Sequence, residues 1–358
     1  DVPTSLAQAF NPSETDLVAL LGDRFSADLL ANGSLETMDA SLSMASAGVN
    51  GGFAINIRDR VATRTGDSSL RVSGERAARA IPALRRALVE GDSIRFSEWP
   101  DATLTISQLR VPIDAVQAGT YEGVLAEMRL QSTPATARVP LSGGAASGSG
   151  VLNVSQMVLY AASEDMSQGV NIAGAASATL DGKDAGQVTI QNVHTGPLFD
   201  ETGALRDPMS IGIRGEISVV GLAAETVQPF LDASGVSIAT EFGPVINASL
   251  KASSEEGSEA IHLGLTMDGA KIEAASRVVL EGSSLRGDPN APGGRALSVL
   301  LTDPSATLTR VLADAGVRVE QASRVMLVIE TLGLDLDAFS GENPDLRSLR
   351  ATGSLTAP

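Results

Sequence analysis

The chain has 358 residues, 43% of them apolar and only 3% aromatic, with 26 Lys plus Arg against 43 Asp plus Glu and a net charge of −17. That surplus excludes a general nucleic-acid binder, which needs a basic face for phosphates, and argues against charge-driven docking on an anionic membrane. With no Cys and two His (His194 and His262), disulfides, thiolate nucleophiles and Cys-ligated zinc are excluded, and no metal or cofactor is expected.

The chain opens at Asp1 without a Met, which reads as a piece of a longer protein. No apolar run approaches the ~18–20 residues needed to span a bilayer. Roughly Ser13 to Leu21 predicts a short helix. Period-two alternation, the strand signal, follows in Leu42 and Met44, in Phe53, Ile55 and Ile57, and later in Leu104 and Ile106. Asn32-Gly33 and Asn50-Gly51 between these runs predict hairpin turns, because both central positions tolerate positive φ. Residues 75–90 place Ala78, Ile81, Leu84, Ala87 and Leu88 at helical spacing, with Pro82 starting or kinking the helix. Gly143 to Gly150 is Gly/Ser-rich and reads as a connector. Asp181-Gly182 predicts another turn, and a helix is expected over 222–233. Ile261, Leu263, Leu265 and Met267 alternate up to a turn expected at Asp268-Gly269. Thr302-Asp303-Pro304 is an N-cap signal for a helix over 303–315 ended by Gly316. Leu327 and Ile329, then Leu332, Leu334 and Leu336, close the pattern. The predicted class is mainly β with a few short helices, as a long antiparallel repeat sheet bent into an open groove, with helices capping the repeats.

An internal repeat organises the chain. At an offset of 221, Gly22 falls on Gly243, Leu29 on Leu250, Leu42 on Leu263 and Gly48 on Gly269. After an insertion at Pro289 to Gly294 the offset becomes 227, with Leu70 on Leu297 and Ile81 on Leu308; later it relaxes to 223, with Leu104 on Leu327 and Ile106 on Ile329. This gives the end of a preceding repeat over 1–21, a subunit over 22–134, an intervening β subunit over 135–242, and a second copy over 243–358. The persisting positions are apolar residues and turn glycines, as a repeated scaffold requires.

Signals for chemistry are sparse. The Gly/Ser run lacks the Gly-Lys-Ser/Thr ending of a phosphate loop. Arg286-Gly287-Asp288 spells an adhesion tripeptide, but its counterpart is Thr65-Gly66-Asp67, so it reads as a turn. His194 reads as a loop or strand-end residue, and His262 alternates with Ile261 and Leu263 and so faces away from them. Glu255-Glu256 sits in a Ser-rich turn, and Asp335 with Asp337 lies on the wet side of a strand. Trp99, Tyr121 and Tyr160 are isolated, which leaves carboxylates without a sugar platform. No catalytic residue is assigned and the chain reads as non-enzymatic.

The run from Ala173 to Ile190, the segment Gly215 to Gly221 leading into Val227 to Leu231, and Leu29 to Leu35 leading into Leu42 resemble the hairpins of AsmA-like and TamB-type repeat proteins of bacterial envelopes, part of the bridge-like lipid transfer superfamily. The resemblance is diffuse, covers essentially the whole chain and lacks the N-terminal membrane helix. It implies a bent sheet whose apolar groove carries acyl chains between membranes, in the periplasm or cell envelope of a bacterium, in outer membrane biogenesis, anchored through a segment outside this chain. The implied partners are a phospholipid or other acyl lipid, neighbouring repeats of the same longer chain, and envelope membranes. The implied lining is Leu42, Met44, Phe53, Ile55, Ile57, Leu104, Ile106, Ile261, Leu263, Leu265, Met267, Leu327 and Ile329. Alternation does not report closure. The same strands with a closed core would make a structural spacer or adhesive stalk that binds nothing.

Overall fold

The computed structural model describes residues 2–9, 15–34, 36–85, 95–141, 148–200, 202–206, 210–228, 237–255, 257–258, 260–305, 323–336 and 350–356. The chain is mainly β, and the strand pairings among the described residues are antiparallel. It divides into two compact units: residues 1–139, 150–182 and 196–206 form the first, and residues 140–149, 183–195 and 207–358 the second.

The first unit begins with β1 (Val2–Pro3), α1 (Thr4–Ala9) and α2 (Leu17–Leu21), followed by the meander β2 (Arg24–Gly33), β3 (Thr37–Ser46) and β4 (Val49–Arg58). β5 (Val61–Arg64) pairs with residues 55–58 of β4, and β6 (Ser69–Val72) with residues 49–52. After α3 (Gly74–Ala80), α4 (Pro82–Leu84) and β7 (Arg95–Glu98), the long β8 (Ala102–Pro112) pairs with β5 and with β6. The two short strands therefore fill one strand position, broken at 65–68. Next come α5 (Ile113–Gln117), β9 (Leu125–Ser132), β10 (Ala135–Leu141), β11 (Gly148–Val154), β12 (Val158–Ser163) and β13 (Val170–Leu180). β9 pairs with β8 and β12, β13 with β11 and β12, and β10 with β7.

The second unit holds β14 (Lys183–Thr195), β15 (Ile213–Ala223), α6 (Ala224–Val227), α7 (Ile238–Phe242), β16 (Val245–Ser253), β17 (Ala260–Gly269), β18 (Ile272–Glu281), β19 (Ser284–Gly287), β20 (Leu297–Thr302), β21 (Arg324–Asp335) and β22 (Arg350–Thr356). β14 to β18 form a meander; β19 and β20 share the far edge of β18 and both meet β21, as β5 and β6 do between β4 and β8.

Register makes the correspondence exact to the residue. β4 and β18, β5 and β19 match at an offset of 223. β8 and β21 share it, and both bulge at the same place, between Ile106 and Gln108 and between Ile329 and Thr331. Leu29 pairs with Leu42 and Leu250 with Leu265, so the counterpart of Leu42 is Leu265 and not Leu263. Likewise Leu70 corresponds to Val299 and not Leu297, since Gly51 faces Leu70 and Ala274 faces Val299. The offsets read from the sequence slip because a two-residue shift leaves an alternating strand in phase.

Helices close the strand ends. Gln8 Oε1 accepts from the N–H of Leu17 at 2.5 Å, and Gln228 Oε1 accepts from the N–H of Ile238 at 2.7 Å. One glutamine per unit thus satisfies the first turn of the next helix. α2 and α7 each stop at a glycine of positive φ, Gly22 at +85° and Gly243 at +103°. Each glycine abuts an alanine of the facing hairpin: a Cβ would lie 3.0 Å from Ala47 Cβ at Gly22 and 2.9 Å from Ala270 Cβ at Gly243. In the second unit Ala224, Ile238 and Ile246 form a buried cluster, with Ala239, Phe242 and Met267 against it.

Several expectations change. The helix over 75–90 is broken into α3 and α4 at Ile81, because Pro82 denies the ladder its N–H; residues 86–90 lie outside the described residues. Leu222 and Ala223 belong to β15, and the helix expected there is described over Ala224–Val227, with 229–233 outside the described residues. The helix expected at 13–21 starts at Leu17, capped by Asp16 accepting from the Ala19 N–H. Residues 303–305 are not helical, and 306–315 lie outside the described residues. Gly148 to Gly150, placed in a connector, start β11, while 143–147 lie outside the described residues. Asn32-Gly33, Asn50-Gly51 and Asp268-Gly269 are strand rather than turn. Gly51 is needed because its backbone runs against β6: a Cβ there would sit 2.1 Å from the Ser69 carbonyl oxygen. Asp181-Gly182 does turn, with φ of +50° and +78°.

Two outcomes follow for stability. Gly22→Ala and Gly243→Ala should each lower the free energy of unfolding by about 1–3 kcal/mol, from positive φ and the alanine contact together, in urea titrations. Gln228→Met should lower it by about 1–3 kcal/mol by orphaning a buried N–H, and Gln8→Met by less, since Gln8 is half-buried.

Candidate functional site

Residues directly opposite one another in an antiparallel pair share a face of the sheet. In the first unit this aligns Leu29, Leu42 and Phe53 on β2 to β4, and Leu70, Leu104, Leu130 and Leu159 on β6, β8, β9 and β12. Beside the second row runs Ile106, Met128, Ala161 and Ile172. In the second unit two adjacent rows cross eight strands. One is Val188, Val219, Ala248, Met267, Ala274, Val299, Leu327 and Leu355; the other is Ile190, Ile217, Leu250, Leu265, Ser276, Leu297, Ile329 and Gly353.

All thirteen residues predicted to line an apolar face fall on these surfaces. Leu42, Met44, Phe53, Ile55, Ile57, Leu104 and Ile106 share one face of the first unit. Ile261, Leu263, Leu265, Met267, Leu327 and Ile329 share one face of the second. Their burial is incomplete. Ile57 alone is buried, at 4% exposure, whereas Leu42 is 46% and Leu265 40% exposed and the other ten are intermediate. Leu29, Val188, Ile217 and Leu250, on the same faces, are also exposed. These last were not singled out from the sequence, although Val188-Thr189-Ile190 and Ile217-Ser218-Val219 carry the same alternation.

The opposite faces carry the charged side chains, together with exposed Leu30, Tyr160 and Val220. Asp39 accepts from Asn56 and faces Arg58, and both interactions hold its carboxyl below the usual carboxylate range. Arg129 lies 5.4 Å from the centroid of the Tyr160 ring. In the second unit a groove of about 780 Å³ gathers Glu216, Lys251, His262, Arg277, Asp288 and Arg295. Lys251 is 3.5 Å from Glu216, an ion pair, and His262 Nδ1 is within hydrogen-bond distance of Asp288 Oδ2 at 3.1 Å. Glu216 also accepts from Ser249, which with Lys251 keeps its carboxyl low. His262 faces away from Ile261 and Leu263 as expected, and its partner is Asp288. Among the described residues no group of three His, Cys, Asp or Glu is placed to hold a metal ion, and no helix is long and apolar enough to cross a membrane.

No family model, no curated protein and no solved structure matches this chain.

The Asp288 site yields a pH prediction. Burial pushes its carboxyl up, but donation from the Asn290 N–H, with His262 and Arg277 facing it, outweighs burial and leaves it lowered from 3.8. A depressed carboxylate contributes stability that is complete above its unfolded pKa and is lost as pH falls through the folded one. Thermal unfolding from pH 6 to pH 2 should therefore show wild type more stable than Asp288→Asn at the upper end, the gap closing below about pH 4.

Proposed function

We propose that the apolar sheet faces hold the acyl chains of a lipid, and that the chain is a non-enzymatic lipid-binding or lipid-transfer segment of a larger bacterial envelope protein. The observation that carries this reading is the in-register rows of Leu, Ile and Val that stay partly exposed among the described residues of both units. Soluble proteins seldom leave a contiguous apolar surface open unless something binds it. A closed-core spacer would bury these same side chains, and the incomplete burial of twelve of the thirteen weighs against it.

The dimensions suit a tail. Strands about 4.8 Å apart make a row over eight strands roughly 34 Å long. One leaflet of a bilayer core is about 15 Å thick, so a row exceeds the depth that one tail spans. Transfer from water onto such a surface is favoured by about 0.8 kcal/mol for each buried CH₂. The rows carry no charged residue, and the polar atom in them is the Ser276 hydroxyl, so a headgroup stays in water and contacts to the tail are non-specific. The chain's net charge of −17 keeps such a surface soluble. These features are compatible with the resemblance to AsmA-like and TamB-type repeats, and on that resemblance the proposed setting is the periplasm, beside further repeats and the envelope membranes.

Native mass spectrometry with lipid extraction, on protein purified without detergent from a bacterial host, tests this. Wild type should carry phospholipid. The double variant Leu42→Asp, Leu265→Asp should lose it while keeping a β-type circular dichroism spectrum, and Thr103→Asp on the opposite face should retain it. A folded wild type free of lipid would overturn the reading.

A further inference from the structure

The two copies of the repeat differ at one edge. In the second unit β16 is flanked on one side by β17 and along its other side by β15, from Ala223 opposite Val245 to Arg214 opposite Ser253. Its counterpart β2 is flanked by β3 over its whole length. On the other side β1 begins the same contact, with Pro3 opposite Arg24 and Val2 opposite Phe25, as Ala223 and Leu222 sit opposite Val245 and Ile246. There the likeness stops: among the described residues none pairs with that edge of β2 beyond Phe25. The side chains record the difference. Leu29 is 72% exposed, whereas its counterpart Leu250, beside Ile217 of β15, is 38% exposed.

We propose that the open edge of β2 is an acceptor site for one more antiparallel strand built like β15 and running in line into Val2. Its register follows from the copy. The strand places an aliphatic side chain opposite Ala27, where Val219 faces Ala248, and another opposite Leu29, where Ile217 faces Leu250. A small residue comes opposite Ala31, where Gly215 faces Ala252. Polar residues alternate with these, as Ser218 and Glu216 do. Main-chain hydrogen bonds supply the affinity and the alternate side chains set the register. The added strand extends the apolar face beyond Leu29 by one strand. The site stands on register and edge exposure, whatever occupies that face.

Hydrogen exchange on the full chain tests this in two ways. In the first, the sequence of residues 213–221 is grafted in place of Asp1; in the second, a synthetic peptide of residues 213–223 is added to the unmodified chain. Each should slow exchange of the amides within 26–32 by about tenfold or more, while β17 and β18 exchange as before. A graft with proline at the position copied from Ile217 should not, since proline removes a donor and disturbs the pairing. Unchanged exchange in β2 with saturating peptide overturns the proposal, even if the graft misfolds. So does equal slowing by the proline graft, or protection confined to β22. Concentration-dependent protection of 26–32 without peptide would assign the edge to a second copy and overturn it too.

Discussion

Backbone hydrogen bonding between neighbouring strands is what the rest of this structure depends on. A strand leaves half its N–H and C=O groups pointing to each side, and burying them unpaired is costly, so strands add to strands until an edge can be tolerated. Here the pairing proceeds laterally, from β14 to β18 without interruption. Burial is therefore small. The buried apolar residues are mostly Ala and Val, and the largest fully buried side chains include Glu241 and Ile238, beside the strand ends. Glu241 accepts from the N–H and hydroxyl of Ser305, so even a buried carboxylate serves the junction between helix and strand.

Among the described residues, a sheet built this way keeps much of its apolar face partly exposed. That arrangement is a liability in a protein that binds nothing and an asset in one that binds flexible apolar molecules. The side chains are aliphatic, and directional polar groups lie on the other face, where Arg71 meets Asp101 and His262 meets Asp288. The period-two geometry of the strand keeps charged side chains off the apolar rows, although the other face also holds apolar residues such as Leu30 and Val220. The acyl-chain reading rests on this segregation rather than on any catalytic grouping.

The same geometry explains what was legible beforehand. Alternation in Ile261 to Met267 and in Leu104 to Ile106 identified both the strands and the face they share. Asp181-Gly182 was read correctly because two positive-φ residues in succession have little use besides a hairpin. Asn50-Gly51 misled because glycine also serves close backbone approach, and only the position of β6 reveals which need applies. α1 and α5 went unseen because helices of five or six residues lack a periodic signature. The paired glutamines Gln8 and Gln228 were invisible because each acts on a backbone N–H about ten residues away, a relation that composition does not carry. Openness of the face depends on what stands above it, which no local pattern encodes.

The split strand position filled by β5 and β6, and again by β19 and β20, bears on how the protein is made. A translating ribosome releases strands in order, and most strands here pair with one made shortly before, so loop closure is cheap and the sheet can grow as it emerges. At the split, β4 must wait: β5 covers one half at once, β6 the other half a few residues later, and β8 seals both only after the α3 region has been synthesised. During that interval the nascent sheet ends in two short, ragged steps instead of one long straight edge. Short interrupted edges template pairing poorly with another nascent chain. Until β8 is in place, the interruption therefore leaves less continuous edge than one long strand would.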